Sequence, residues 1–386
     1  MFKKMALVIL FVGLAICIAV LVTGVAGRHE LVKQEKAWRA MGGVFDFSEM
    51  APDAIPDEEN AAVAYGVAFK FLDGLENEEN YLLGADPAEE PDVNAVLDKC
   101  GEVIVQLRSA SQMKKCRWDV DYDAGIDAMF SHQGSVRIAA RLLASDAYRA
   151  SESGRDEVVV RDIETMLRMV LHAANDSTIT GQLVAGSVMG NAISLYENFF
   201  KDHAAPKNNI AAIADRYDDR ALYKRGLMGD VALSRSMLLD MLGDTEDSIP
   251  LYQQFVLNWD QAYYLREVMR RVEDCDRPYY EAIKSEDGRV PIYAVAAGTS
   301  IPAFNRTARS LARVRLRAVM LVTAEKLRAY KAEHGAYPET DAKGGVKMPI
   351  DPVTGKPLVY ERVGDGFVLT SEVKDGNGKN TEWRWD

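Results

Sequence analysis

The feature that most constrains this chain is an uncharged run near its N-terminus, which extends for 23 residues from Met5 to Gly27. As an α-helix, which rises about 1.5 Å per residue, the run would be roughly 34 Å long. The hydrocarbon core of a bilayer is about 30 Å thick, so a helix of this length can cross it. We therefore predict a single transmembrane helix as an anchor over residues 1–27.

Basic residues flank both ends of this run, so charge alone does not orient it. Lys3 and Lys4 precede it, and Arg28 and Lys33 follow it closely. Because long domains are translocated regardless of nearby charges, we expect a single-pass protein of a bacterial inner membrane with its body on the periplasmic side. The alternatives are a cleaved signal peptide, whose apolar stretch is usually only about 7–15 residues, and a buried core helix.

The composition of the whole chain indicates a folded protein that does not bind nucleic acid. Apolar residues make up 48% of the 386 residues, which is typical of globular domains. The formal net charge is −12. Nucleic-acid binding depends on a basic surface that neutralises phosphates, and an acidic balance of this size argues against it.

Residues 28–92 are predicted to form a helical stalk followed by an acidic segment. Residues 43–92 contain 14 acidic residues and only one basic residue, Lys70. Within this segment, residues 55–62 place proline and acids where a helix begins, because the helix dipole favours negative charge in the first turn. The apolar residues at helical spacing after this start are Val63, Val67, Ala68 and Phe71.

From residue 93 to 290 the pattern predicts a multi-helix array. The alanines before the turn at Gly154 resemble one helical hairpin of the tetratricopeptide kind, although no second copy follows at a 34-residue period. We therefore predict a mainly α, tetratricopeptide-like array by analogy. On one helix, Gly186 and Gly190 lie four residues apart, which predicts close packing of a neighbouring helix.

Two cysteines of the array offer a candidate disulfide. Cys100 and Cys116 are 16 residues apart, and in an oxidising compartment they can pair. The alternative is a pair of buried thiols.

The passage 287–303 contains Pro291, Gly298 and Pro302 and is predicted to be a linker. A long helix is expected from 304 to 334, with eight basic residues against two acidic ones. We expect it to lie against the body, with its arginines facing the acidic segment 43–92. The alternative is that these arginines face an anionic partner or lipid headgroups.

The C-terminal part, over residues 304–386, predicts a long helix followed by a small antiparallel β head. Its marker residues are Gly335-Ala336-Tyr337-Pro338, Asp351-Pro352, Gly355-Lys356-Pro357 and Gly366-Phe367. In this order they resemble the head of the type II secretion major pseudopilin, over about 60 residues. The resemblance implies an α+β head built on the end of the helix. The rest of the chain, especially Ile55–Ala62 and Cys116-Arg117-Trp118, is similar to single-anchor bacterial envelope proteins that carry such a tail and have no assigned activity.

The pseudopilin resemblance also implies a calcium site, because pseudopilin heads bind calcium near their end. Only Asp375, Asn377 and Ser371 can be carried over as ligands. The residues themselves are of the type calcium accepts, with carboxylate and amide oxygens on a glycine-rich turn. An ordinary β-turn formed by Asp-Gly and Asn-Gly explains the same sequence.

We found no pattern that identifies catalytic chemistry. Nucleotide-binding glycine motifs, a GxSxG elbow and an HExxH motif are all missing from the sequence. The best-supported function is a membrane-anchored envelope scaffold or interaction protein with an unknown protein partner, more consistent with a binding protein than with an enzyme. The alternatives are an accessory component of a type II secretion or pilus-like machine, and an envelope enzyme with an unrecognised site.

Overall fold

The computed structural model describes residues 2–241, 251–282, 290–340, 346–375 and 378–385. The described part is mainly helical and ends in a small antiparallel sheet, which confirms the predicted fold class at this level. The α-helices in chain order are α1 (Phe2–Ala40), α2 (Ala61–Asp73), α3 (Asn77–Leu82), α4 (Val93–Lys99), α5 (Gly101–Ala110), α6 (Ser131–Glu152), α7 (Asp156–Ala173), α8 (Ile179–Phe200), α9 (Ile210–Asp215), α10 (Asp219–Met241), α11 (Leu251–Asp274), α12 (Tyr279–Ala282) and α13 (Val295–His334).

Helix α1 continues without a break through the predicted boundary at residue 27. Its buried residues follow the three-and-four spacing of a heptad seam: Gly24, Gly27, Leu31, Gln34 and Trp38. This seam packs along α11, so the segment predicted as a stalk lies against the helical body. Among the residues that the structure describes, no helix is both long and apolar enough to cross a membrane.

The larger of two hydrophobic cores contains α2 to α9, the later half of α13 and the sheet. Helices α6, α7 and α8 pack in series, each against the next. Of the apolar residues predicted at helical spacing in α2, Ala68 is buried, but Val63 and Val67 are 50% and 67% exposed. The face that α2 buries contains Tyr65, Phe69 and Leu72, because two aromatic rings remove more apolar surface from water than two valines do.

Helix α13 begins at Val295, so residues 295–303 of the predicted linker are helical. Pro302 lies inside the helix, where it lacks one backbone hydrogen bond. The helix continues through it because Ala297 and Ile301 are buried in the second core, with residues of α1, α10 and α11. Farther along, α13 packs on α8.

The close packing predicted for the glycine pair on α8 is confirmed. An added Cβ at Gly186 would lie 2.8 Å from Leu311 of α13, and one at Gly190 would lie 3.9 Å from Val314.

The C-terminal sheet consists of β1 (Val359–Val363), β2 (Gly366–Lys374) and β3 (Asn380–Trp385), in that spatial order and with antiparallel neighbours. Gly364 has φ of 59° in the turn between β1 and β2, a conformation that glycine adopts without strain. Phe367 of β2 lies opposite Trp385 of β3. Strand β3 contacts α8 and α13, so the sheet is docked on the helical body through one edge.

Candidate binding cleft between the helical array and the C-terminal sheet

A cleft of about 700 Å³ lies where the loop after α8, the last turns of α13 and the end of β3 meet. Its walls come from segments far apart in sequence, which the docking of the sheet brings together. The lining residues are Asp202 to Asn208, Glu325, Arg328, Ala329, Lys331, Ala332, Tyr337 and Trp385.

Trp385 closes one end of the cleft and ties the sheet to the array. Its indole Nε1 donates a hydrogen bond to the Phe200 carbonyl oxygen at the end of α8. The Arg328 guanidinium lies 4.5 Å from the centroid of the Trp385 ring, within the range of a cation–π interaction. The Trp385 side chain therefore connects β3 to both α8 and α13.

A hydrogen-bonded network forms the base of the cleft. The Tyr196 hydroxyl donates to Glu325 Oε1 at 2.7 Å, and Arg328 Nη1 donates to the Tyr196 hydroxyl and to Glu325 Oε1, both at 3.0 Å. Burial, reinforced by the nearby Glu325 carboxylate, raises the pKa of Tyr196. Tyr196 is therefore a neutral donor that positions Glu325 and Arg328, not a proton acceptor.

The cleft wall carries more positive than negative groups, in a chain whose net charge is −12. Lys331 Nζ donates to the Asp365 carbonyl oxygen at 2.9 Å and lies 4.6 Å from the Tyr337 ring centroid. Lys207 is exposed on the opposite loop. With Arg328, these make three cations against the two carboxylates of Asp202 and Glu325. This excess of cations makes the cleft suited to binding an anionic group.

Two of the three residues predicted to bind calcium, Ser371 and Asp375, have separate hydrogen-bond partners in the structure. Ser371 donates its hydroxyl to Asp351 Oδ2 at 2.5 Å, so this oxygen is directed at the loop before β1. Asp375 lies four residues farther on, and its Oδ1 accepts from the Lys379 backbone N–H at 2.9 Å, as in an ordinary turn. Asn377 is outside the described residues. No group of three or more potential ligands among histidine, cysteine, aspartate and glutamate occurs in the parts of the chain that the structure describes.

The structure has Cys100 and Cys116 as free, buried thiols, which corrects the predicted disulfide. Cys100 lies at the junction of α4 and α5 and packs in the main core. Burial raises the pKa of its thiol to about 11. Cys116 packs in the same core, where burial raises the pKa of its thiol further still. Both side chains therefore act as small apolar groups of the interior.

The arginines of α13 pair with acids of the helical array and not with the acidic segment 43–92, in the ion pairs that the structure describes. Arg317 pairs with Glu197 of α8. Arg315 Nη2 lies 3.7 Å from Asp215 Oδ1 at the end of α9. The prediction that α13 lies against the body is confirmed, but the acidic surface it meets is a different one.

Two histidines of the helical array, His132 and His172, are buried. His132 Nε2 lies 3.0 Å from Asp176 Oδ2, but these side chains are 8% and 1% exposed. His172 Nε2–H donates to the Met113 carbonyl oxygen, and its Nδ1 accepts from the Tyr65 hydroxyl, both at 3.0 Å. Both rings therefore connect core elements and are not accessible to a substrate.

The sequence contains no local pattern that would have identified the cleft. Tyr196, Arg328 and Trp385 are separated by 57 to 189 residues, and only the packing of α13 and β3 on α8 brings them together. No protein-family model matches this chain, and no curated protein or solved structure is significantly similar to it.

Proposed function

We propose that this protein is a membrane-anchored envelope scaffold that holds a partner protein through an acidic segment bound in the cleft between the array and the sheet. The observation that carries the proposal is the excess of cationic and aromatic groups in a cleft of about 700 Å³, on a chain that is acidic overall. Arginine and lysine beside aromatic rings recognise carboxylates by charge and by hydrogen bonds. A helical array of tetratricopeptide-like hairpins would serve as the rigid support.

The anchor in this proposal is the N-terminal part of α1. In this part of the helix, over residues 2–27, the large apolar side chains that the structure describes are exposed, including Phe11, Leu21, Val22 and Val25 at 54–72%. Exposed apolar surface of this extent marks a site of contact with a protein or a membrane. We take the contact to be a bilayer, with the protein in a bacterial inner membrane and its body on the periplasmic side.

The test is cross-linking and pull-down of the full chain from detergent-solubilised membranes. The double variant Lys207→Glu, Lys331→Glu reverses two charges of the cleft, and we expect it to lose the partner. Lys114→Glu and Lys36→Glu reverse two exposed charges elsewhere and are expected to keep it. Equal recovery of the partner by both double variants would contradict the cleft as the binding site.

A second candidate function is an accessory role in a type II secretion or pilus-like machine. The order of a long helix, a turn at Gly335 and an antiparallel sheet is the order that the pseudopilin resemblance implies, and it supports this candidate. The outer side of β1 has no paired strand among the described residues, and Val359 on it is 59% exposed. An unpaired edge strand can accept a strand from another subunit. A disulfide cross-link between Val359→Cys and a cysteine of a secretion subunit would support this role. Absence of any such cross-link would contradict it.

A further inference from the structure

A second cavity, of about 260 Å³, lies between α10, α11 and the start of α13. Its walls are largely apolar. The aliphatic and phenyl side chains that line it are Phe45, Val231, Met237, Leu238, Leu257 and Leu265. An engineered cavity of about 150 Å³ with apolar walls holds one benzene molecule, which has six carbon atoms. At the same packing, the cavity between these helices holds a hydrocarbon segment of about ten carbon atoms.

The two charged side chains in the described lining, Arg235 and Asp260, already have partners in the protein. Asp260 Oδ1 accepts a hydrogen bond from the Ala297 N–H in the first turn of α13 at 3.1 Å. Arg235 Nη1 lies 2.9 Å from Glu35 Oε1 of α1, and its guanidinium carbon lies 4.9 Å from the centroid of the Phe45 ring. Because both charges are compensated within the protein, the cavity favours an uncharged hydrocarbon over an ion.

Exposed apolar side chains form the rim of the cavity. Met237 lines the cavity and is 50% exposed. Val256, next to Leu257 of the lining, is 45% exposed, and Val295, one turn before Thr299 of the lining, is 67% exposed. An alkyl chain that is longer than the cavity can therefore continue over this rim and keep its remaining hydrocarbon against apolar surface.

The cavity lies at the end of the helical body that contacts the apolar segment of α1. Trp259, two residues after Leu257 in α11, donates its Nε1–H to the Thr23 carbonyl oxygen at 3.2 Å. The centroid of the Tyr293 ring lies 6.1 Å from that of Trp259, and the neighbouring Ile292 is fully exposed. Tryptophan and tyrosine are enriched at the membrane–water interface. Since Thr23 belongs to the run that the proposed function places in the bilayer, the rim lies at the level of the membrane surface.

We propose that the cavity between α10, α11 and α13 binds the acyl chain of a membrane phospholipid. About ten carbon atoms of the chain lie inside, the rest lie on the rim, and the headgroup stays at the bilayer surface. The apolar lining selects the chain, and the position beside Trp259 makes the bilayer its source. This inference rests on the membrane anchor of the proposed function and goes beyond it, because it gives the helical body a lipid ligand of its own.

The test is photo-cross-linking of the full chain in vesicles of phosphatidylethanolamine and phosphatidylglycerol. A trace phospholipid carries a diazirine near the end of one acyl chain, and irradiation converts it to a carbene that inserts into neighbouring bonds. Peptide mapping by mass spectrometry is expected to find label in the apolar part of α1 and in residues 257–265 of α11. Label on α1 reports the anchor, whereas label on residues 257–265 reports the cavity.

Two variants fill the cavity from different helices. Ser234→Trp on α10 and Ser300→Trp on α13 each replace a lining serine with a large ring. We expect each to lower the labelling of residues 257–265 at least about tenfold and to leave the labelling of α1 unchanged. Ser109→Trp makes the same change at an exposed position of α5 and is expected to match the wild type in both regions. A melting temperature close to that of the wild type shows that each variant is folded.

Two results would overturn the inference and leave the proposed anchor in place. One is label on α1 together with equal labelling of residues 257–265, or none, in the wild type and both cavity variants. The other is labelling of residues 257–265 by a diazirine fatty acid added to the protein in detergent micelles but not by the phospholipid, which would give the cavity a soluble ligand. Absence of label on α1 would contradict the membrane anchor of the proposed function, and the inference with it.

Discussion

Two buried side chains with opposite pKa shifts, His172 and Asp230, contribute to the pH dependence of stability. Burial lowers the pKa of His172 to about 4, because desolvation disfavours the imidazolium. Burial raises the pKa of Asp230 to about 7, although its Oδ1 accepts a hydrogen bond from the Ile179 N–H at the start of α8. As the pH rises from about 4 to 7, His172 therefore increases the free energy of unfolding, whereas Asp230 decreases it.

For His172, the folded state binds fewer protons than the unfolded state between pH 4 and about 6.5. Its contribution to the free energy of unfolding is present above pH 6.5 and is lost as the pH falls, by about 3 kcal/mol in total. We expect His172→Gln to be less stable at pH 7 and to show a shallower loss of stability on acidification. The measurement is urea unfolding of both proteins at pH 4.5, 5.5 and 7. If the free energy of unfolding changes with pH by the same amount in both proteins, the His172 ring does not titrate as a buried neutral group.

For Asp230 the sign is reversed. The folded state binds more protons than the unfolded state between about pH 4 and pH 7, so stability from this group is present at low pH and is lost as the pH rises through 7. Asp230→Asn keeps an oxygen for the Ile179 N–H and cannot ionise, so we expect it to gain stability over the wild type at pH 8 but not at pH 4.5. A variant that is destabilised more at pH 8 than at pH 4.5 would contradict the shift.

The two core thiols are expected to resist modification in the native protein. Iodoacetamide reacts with the thiolate, and burial keeps Cys100 and Cys116 protonated and covered. Mass spectrometry should find both unmodified in native buffer and both alkylated in guanidinium chloride without reductant. A sample unfolded with reductant is the control, and alkylation only in that sample would establish a disulfide.

At the scale of elements, the seam between α1 and α11 depends on a close approach at Gly27. The Trp259 Nε1 donates to the Thr23 carbonyl oxygen at 3.2 Å, and an added Cβ at Gly27 would lie 2.8 Å from that nitrogen. Trp259 is the one tryptophan of the five that is not buried. Its emission therefore reports on this seam.

We expect Gly27→Ala to separate the two helices at this point. The predicted result is a changed Trp259 emission and faster hydrogen exchange in residues 23–40 of α1. The matched control is Gly66→Ala in α2, where an added Cβ meets nothing within 4 Å, and where alanine should stabilise the helix by up to about 1 kcal/mol. Equal gains in stability from both substitutions would show that the seam tolerates the methyl group.

At the scale of the whole molecule, α13 joins the two hydrophobic cores and carries the sheet. Its first half packs in the core with α1, α10 and α11, and its second half packs in the core with α2 to α9. The sheet adds Phe367, Trp383 and Trp385 to the larger core, the one with α2 to α9. Disturbance of the sheet should therefore reach the cleft, since Trp385 is part of both.

Trp385→Ala is expected to undock the sheet. It removes a buried ring, a hydrogen bond to Phe200 and a cation–π contact with Arg328, and should cost roughly 3–5 kcal/mol. We expect limited proteolysis to cut between Gly335 and β1 far faster than in the wild type. The control is Val359→Ala on the exposed side of β1, which should leave the cleavage rate unchanged.

Several elements were predictable because their determinants are local. The C-terminal part of the sequence predicted a small antiparallel sheet after a long helix, and the spacing of Gly186 and Gly190 predicted a close helix neighbour. Each depends on residues a few positions apart, which strand and helix geometry place on one face. The mainly helical class followed for the same reason.

Other features were decided only by the tertiary structure. Several faces of α2 are apolar, and the neighbours of Tyr65 and Phe69 determined which one is buried. The start of α13 at Val295 depended on burial of Ala297 and Ile301, which outweighed the backbone hydrogen bond that Pro302 lacks. Ser371 faces Asp351 and not a cation because the loop before β1 folds back onto β2. The cleft unites Tyr196, Arg328 and Trp385, whose sequence separations carry no periodic pattern, so packing alone defines it.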